Sequence, residues 1–219
     1  MIDFNLYLIT DRHSTGGRPL VAVIERALQG GVRAIQLREN DLPAKALFEL
    51  AKGLRVLTKR YNARLFINDR VDIALAVEAD GVHLGQKGFS PRDVQEIVGK
   101  TVSRITHHVS RFLIGVSTHG LREAMDAEKD GGDFITLGPI FHTPSKSVYG
   151  RPIGVDVIKD VKSRVGIPVF AIGGIKLEDL REVVEAGADG VAVISAIMGA
   201  DKPGAAVKEF CSQAIWKER

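Results

Sequence analysis

Short apolar runs and longer stretches of helical periodicity alternate along the whole chain. The runs are Leu6–Thr10, Arg33–Arg38, Arg64–Asn68, Gly81–Leu84, Phe112–Ser117, Phe134–Gly138, Pro168–Gly173 and Gly190–Ser195. Each is rich in Val, Ile, Leu or Phe and too short for a buried helix. Near-continuous hydrophobicity is what a parallel strand covered by helices requires. Helical spacing marks the stretches between them: Leu20–Gln29, Ala44–Tyr61, Asp72–Glu78, Pro91–Val98, Leu121–Asp130, Val155–Arg164, Leu177–Ala186 and Pro203–Ile215. Ser90-Pro91 is a helix start, a cap residue followed by proline at the first helical position. Eight strands and eight helices in strict alternation wind, through right-handed crossovers, into a closed barrel or an open doubly wound sheet. Eight such units in 219 residues predict a single (β/α)8 TIM-barrel domain over 1–219.

One segment departs from the pattern. Lys100–Arg111 stands where a short connection would suffice, and it reads as a solvated or subunit-contact loop on the N-terminal face, compatible with a homo-oligomer. Composition changes little. The net charge of +3 comes from scattered Lys and Arg, so no nucleic-acid-binding tail is present. No apolar run approaches the ~20 residues of a membrane span, and Met1 leads straight into the first strand with no signal-peptide pattern. A cytoplasmic protein without membrane contact is the expectation. The single cysteine, Cys211, excludes an internal disulfide and reads as a small buried hydrophobe of the last helix.

In a barrel the chemistry sits at the C-terminal strand ends. Polar residues occupy nearly all of them: Thr10-Asp11-Arg12, Gln36 and Arg38, Asn68-Asp69-Arg70, His83 and Gln86, Ser117 and His119, and Ser195-Ala196. Arg38, Asp69 or Arg70 taken alone would be structural ion-pair residues, and His83 between Val82 and Leu84 an interior histidine. After the seventh strand, Gly173-Gly174 lacks any Cβ that would keep a ligand from the backbone. Ser195-Ala196 then opens a short helical turn whose amides would point at an anion. Together these two loops form a candidate phosphate cradle. The long loop after strand six offers Thr143, Ser145 and Lys146 to a second anion such as a pyrophosphate. His142 at its base carries an imidazole that could move protons.

These residues resemble the thiamine phosphate synthase family. The stretches that carry the likeness run in order along the chain. They are Leu8–Arg12, Ile35–Glu39, Ile67–Leu75, Ala79–Gln86, Gly115–His119, Gly138–Phe141 with Thr143, Ala171–Ile175 and Ala186–Ile197. The resemblance implies a TIM barrel that couples a hydroxymethylpyrimidine pyrophosphate to a thiazole phosphate. It places Gln36, Arg38, Asn68, Ser117, Thr143, Ser145 and Lys146 on the pyrimidine pyrophosphate and Asp69 on Mg2+. It places Gly150 or Gly154, Gly174, Ser195 and Ala196 on the thiazole phosphate.

The chain also departs from the family pattern. Asn40 stands for a lysine, Gln86-Lys87-Gly88 lacks the second magnesium carboxylate, and Lys146-Ser147 replaces a lysine pair. Neutralising a leaving pyrophosphate needs such groups, whereas the thiazole phosphate half is complete. That combination resembles the thiazole tautomerase branch, a metal-free proton shift on a thiazole carboxylate phosphate. The sequence expectation leans to this branch, with Arg38 on the substrate carboxylate and His142, or His119, as the proton shuttle. The alternatives are a Mg2+-dependent synthase, a non-catalytic sensor of thiazole or thiamine phosphate, and another phosphosugar barrel such as an epimerase.

Overall fold

The computed structural model describes residues 2–105, 111–143, 151–213 and 216, and the side chains of 101–105 are not among those described. Its strands are β1 (Leu6–Ile9), β2 (Ala34–Leu37), β3 (Arg64–Asn68), β4 (Gly81–Leu84), β5 (Leu113–Thr118), β6 (Phe134–Leu137), β7 (Val169–Ile172) and β8 (Gly190–Val193). All pair in parallel and in sequence order, and β8 closes on β1. The helices are α1 (Leu20–Gly30), α2 (Ala44–Arg60), α3 (Val71–Ala76), α4 (Pro91–Ile105), α5 (Leu121–Lys129), α6 (Asp156–Lys162), α7 (Leu180–Glu185), α8 (Ser195–Met198) and α9 (Pro203–Cys211). The expected barrel is therefore the observed one.

Two expectations need correction. The helix α4 runs on to Ile105, so the first part of the supposed Lys100–Arg111 loop is helical. Val94, Val98, Val102 and Ile105 continue the three-to-four-residue spacing that sustains it. The remainder, 106–110, lies outside the described residues. Cys211 is exposed rather than buried, because α9 turns Pro203, Val207 and Phe210 inward instead.

Large and small residues alternate inside the barrel. Four rings, Tyr7, Phe66, Phe134 and Phe170, point inward and are fully buried. Each faces a residue with little or no side chain across the ladder: Tyr7 opposite Ala34, Phe66 opposite Gly81, Phe134 opposite Gly115 and Phe170 opposite Gly190. The glycines make room for the rings. A Cβ at Gly115 would lie 2.5 Å from the Phe134 ring, and one at Gly190 would lie 2.5 Å from Phe170. The rings then meet mostly edge-to-face with centroids 5.4 to 5.5 Å apart. Phe4 covers them from the N-terminal side. This aromatic plug closes the barrel, so the polar residues above it form the floor of an open mouth.

The N-terminal end is held by a repeated clamp. Asp80, Asp133 and Asp189 each precede an even-numbered strand. Each accepts, at 2.8 Å, a backbone N–H from the odd-numbered strand before it: Leu65, Ile114 and Val169. Arg55, Arg111 and Lys162 pair with the three carboxylates. At the fourth equivalent place, before β2, the residue is Arg33.

Candidate active site

The floor of the mouth is a small polar layer on the aromatic plug. Gln36 of β2 and His83 of β4 are both about 1% exposed. His83 Nε2 lies 3.1 Å from Ser117 Oγ and 3.3 Å from Thr136 Oγ1, and its Nδ1 lies 3.5 Å from the Tyr7 hydroxyl. Burial, with a smaller contribution from the charge of Arg38, lowers the His83 pKa from 6.5 to about 3. The imidazole is therefore neutral in the folded protein, the interior histidine that its apolar neighbours imply. Gln36 Nε2 has no hydrogen-bond partner of good geometry among the described residues, although the amide lies beside the Tyr7 hydroxyl. A buried amide donor left open costs free energy unless a ligand meets it.

Above the floor, hydrogen bonds tie neighbouring rim loops together at every junction but one. Arg12, after β1, holds Glu39 and Asp41, after β2. Asn68 Nδ2 at the end of β3 donates to Asn40 Oδ1 at 3.2 Å. Asp69 leaves β3 in the left-handed region (φ 55°), where its carboxylate accepts the Gly85 N–H at 2.7 Å and Asn68 Nδ2 at 2.9 Å. Gln86 donates to the Ser117 carbonyl and to Glu123, which also accepts from the His119 backbone N–H and lies 3.1 Å from His119 Nδ1. The Gly138 N–H reaches the Thr118 carbonyl, and the amides of Ile140 and Phe141 reach those of Ile172 and Gly173. Arg18 closes the ring, donating to the carbonyls of Met198 and Ala200.

One junction in this ring differs. No hydrogen bond among the described residues ties the loop after β7 to the loop after β8. The backbone amides of Gly173, Gly174, Ser195 and Ala196, which flank it, have no partner among the described residues. Gly173 and Gly174 have φ of +100° and +69°, successive conformations that side chains disfavour. Their glycine identity has a further cause that the sequence did not reveal. A Cβ at Gly173 would lie 2.6 Å from Pro139 Cα, and one at Gly174 would lie 2.6 Å from the His142 carbonyl oxygen. The strand-six loop packs its backbone against them, so these glycines serve a close chain approach as well as leaving their amides open.

The sequence candidates thus divide. Gln36, Arg38, Asn68, Asp69 and Ser117 surround one side of the mouth, and Gly174, Ser195 and Ala196 flank the open junction opposite. His119 turns its Nδ1 to Glu123 at the rim, and His142 is exposed at the base of the strand-six loop. Thr143 is half-buried beside it. Ser145, Lys146 and Gly150 lie outside the described residues. Sequence reasoning missed Glu39, which is buried at the rim by the Arg12 pairing; its position next to Arg38 in an otherwise apolar run was the available signal.

The turn carrying Lys87 and Gly88 folds onto Asp69: a Cβ at Gly88 would lie 2.8 Å from Asp69 Oδ1. A second carboxylate there would require this turn to shift. Among the described residues no group of three or more His, Cys, Asp or Glu is arranged to hold a metal by itself. No helix among them is long and apolar enough to cross a membrane.

Comparison with known proteins bears on this arrangement. A family model described as thiamine monophosphate synthase matches residues 6–197. A putative thiamine-phosphate synthase of Geobacter sulfurreducens is 54% identical over 92% of this chain and 90% of its own. A thiamine-phosphate synthase of Roseiflexus castenholzii is 43% identical over 95% and 87%. Among solved structures, a thiamine phosphate pyrophosphorylase from Pyrococcus furiosus superposes with a TM-score of 0.83 at 40% identity, covering 95% of this chain and 94% of that one. A 3-hexulose-6-phosphate synthase at 18% identity and a TM-score of 0.65 shares the fold alone. The matched relatives carry synthase names, which favours the synthase reading over the tautomerase branch that the departures at Asn40 and Gly88 had pointed to. With nearly nine-tenths of its length matched by the family model and its mouth built from the residues that carry the likeness, the chain belongs to the thiamine monophosphate synthase family.

Proposed function

We propose that the protein is a thiamine-phosphate synthase, joining hydroxymethylpyrimidine pyrophosphate to thiazole phosphate with release of pyrophosphate. The observation that carries the reading is the open junction between the loops after β7 and β8. Every other pair of neighbouring rim loops is tied by the protein's own hydrogen bonds, whereas here four amides from two loops have no partner among the described residues. A phosphate has the oxygens to meet them and would act as the missing tie. On the opposite side, the open Gln36 amide and the Ser117 hydroxyl would orient the pyrimidine. Arg38 would stand over its pyrophosphate, and Thr143, Ser145 and Lys146 would reach it from the strand-six loop.

Asp69 fits Mg2+ in a limited way. Its two oxygens each accept one hydrogen bond and retain lone pairs, and Mg2+ commonly takes one or two protein carboxylates with the rest from substrate phosphates and water. Bound there with the substrate's pyrophosphate oxygens, the ion would supply charge neutralisation at the leaving group. The protein's own part is positional. It would fix both partners against the floor, converting their encounter into a local step, with a neutral His83 adding no charge to that floor.

The test is a paired assay on the purified chain. Hydroxymethylpyrimidine pyrophosphate, thiazole phosphate and Mg2+ should yield thiamine phosphate and pyrophosphate. Tautomerisation of a thiazole carboxylate phosphate without metal, and no coupling in the full mixture, would return the assignment to the tautomerase branch. Binding of thiazole phosphate with neither activity would mark a sensor.

A further inference from the structure

Arg38 is the exposed cation of the mouth whose charge reaches His83 on the floor, yet nothing grips its guanidinium among the described residues. What fixes it is the backbone on which it stands. Its own amide donates to Thr10 Oγ1 at 2.9 Å. The next residue, Glu39, is buried, with a side chain only 2% exposed. Both Glu39 oxygens accept the Arg12 backbone N–H at 3.2 Å, and Oε2 also accepts Arg12 Nη1 at 3.2 Å. Three positions after Arg38, Asp41 takes the same guanidinium: Nη2 donates to Oδ2 at 2.6 Å, and Nη1 to Oδ1. His13 Nε2 lies 3.0 Å from that Oδ2. One arginine therefore spans a buried and an exposed carboxylate on either side of a two-residue step. Arg12 itself stands on a short 3-10 turn (Arg12–Ser14) whose start is fixed by Asp11 accepting from the His13 amide.

We infer that Arg12 is a positioning residue: by clamping Glu39 and Asp41 it sets the loop that presents Arg38 to the anion in the mouth. The inference rests on the synthase reading for the identity of that anion. Removing the guanidinium leaves a buried carboxylate held by one backbone N–H, which favours rearrangement of the loop to rehydrate it. A lysine in its place keeps the charge but lacks the planar fork that serves two carboxylates at once.

The test is a double-mutant cycle of Arg12→Gln and Arg38→Gln, with thiamine phosphate formation, calorimetric binding of inorganic pyrophosphate with Mg2+, and amide hydrogen exchange as readouts. If Arg12 acts through Arg38, Arg12→Gln lowers kcat/KM about tenfold in the wild-type background and less than about twofold in the Arg38→Gln background, a coupling of ordinary size for interacting residues. Pyrophosphate affinity follows the same pattern. Exchange quickens over residues 38–42 while the strand cores stay protected. Arg12→Lys falls between the wild type and Arg12→Gln. Equal losses in both backgrounds, or unchanged exchange over 38–42, overturn the inference. If Arg12→Gln does not fold cooperatively, Arg12→Lys and Asp41→Asn carry the same cycle. A wild type that binds pyrophosphate but makes no thiamine phosphate sinks the synthase reading alone, and the binding and exchange results still decide the role of Arg12.

Discussion

The buried imidazole of His83 should leave its mark on acid stability. In the unfolded chain this histidine takes up a proton near pH 6.5, whereas in the barrel burial holds it neutral down to about pH 3. Below pH 6.5 the unfolded state binds the extra proton, so stability rises with pH and falls on acidification. Each pH unit between those two values removes about 1.4 kcal/mol. The whole interval amounts to about 5 kcal/mol, a large part of a typical domain's stability. The upper half of the window isolates the effect, because the carboxylates whose folded pKa is depressed, such as Asp3 and Asp72, act below their ordinary value of 3.8. The assay is urea unfolding at closely spaced pH values from 7 to 4.5, on the wild type and on His83→Gln. The wild type should lose about 1.4 kcal/mol per pH unit beyond any slope that the variant retains. In parallel, proton NMR should find one histidine that does not titrate above pH 4. Identical slopes in the two proteins, or six histidines all titrating near neutrality, would refute the reasoning.

Four substitutions probe other parts of the structure. Gly115→Ala puts a methyl 2.5 Å from both His83 Nδ1 and the Phe134 ring. This overpacking should cost about 1–3 kcal/mol and lower Tm by roughly 3–10 °C, while Gly53→Ala, with nothing within 4 Å on α2, should raise Tm slightly. Asp189→Ala frees the buried Val169 N–H and the Lys162 ammonium at the end of the barrel away from the mouth. Urea unfolding should show a loss of about 1–3 kcal/mol with KM for both substrates unchanged. Gly174→Ala forces a Cβ onto a left-handed backbone 2.6 Å from the His142 carbonyl, and steady-state kinetics should show KM for thiazole phosphate rising more than KM for the pyrimidine substrate.

The barrel was legible in the sequence because its strands are buried on both faces. Runs such as Arg64–Asn68 and Gly81–Leu84 match the observed strands residue for residue, and most other boundaries moved by one or two positions. The apolar spacing of α4 beyond Val98 was equally regular, but Thr101, Ser103 and Arg104 obscured it. The interior packing was not legible. That Phe66, Phe134 and Phe170 each need a glycine opposite them depends on the register between strands, which spacing within one strand does not reveal. The mouth was legible as a list of polar strand-end residues, since topology alone brings those ends together. What each does was hidden in contacts between loops: Glu39 looked like one more charge beside Arg38 until Arg12 was seen to bury it. Gly173 and Gly174 looked open to a ligand, and their second role appears only with the strand-six loop packed upon them.

The account depends most on the four amides between the loops after β7 and β8 that have no partner among the described residues. Titrating thiazole phosphate into 15N-labelled protein and following those amides tests this directly. The resonances of Gly173, Gly174, Ser195 and Ala196 should move together along one saturation curve, with downfield proton shifts as hydrogen bonds form. Saturable binding that leaves these four unmoved, while amides elsewhere respond, would contradict the account.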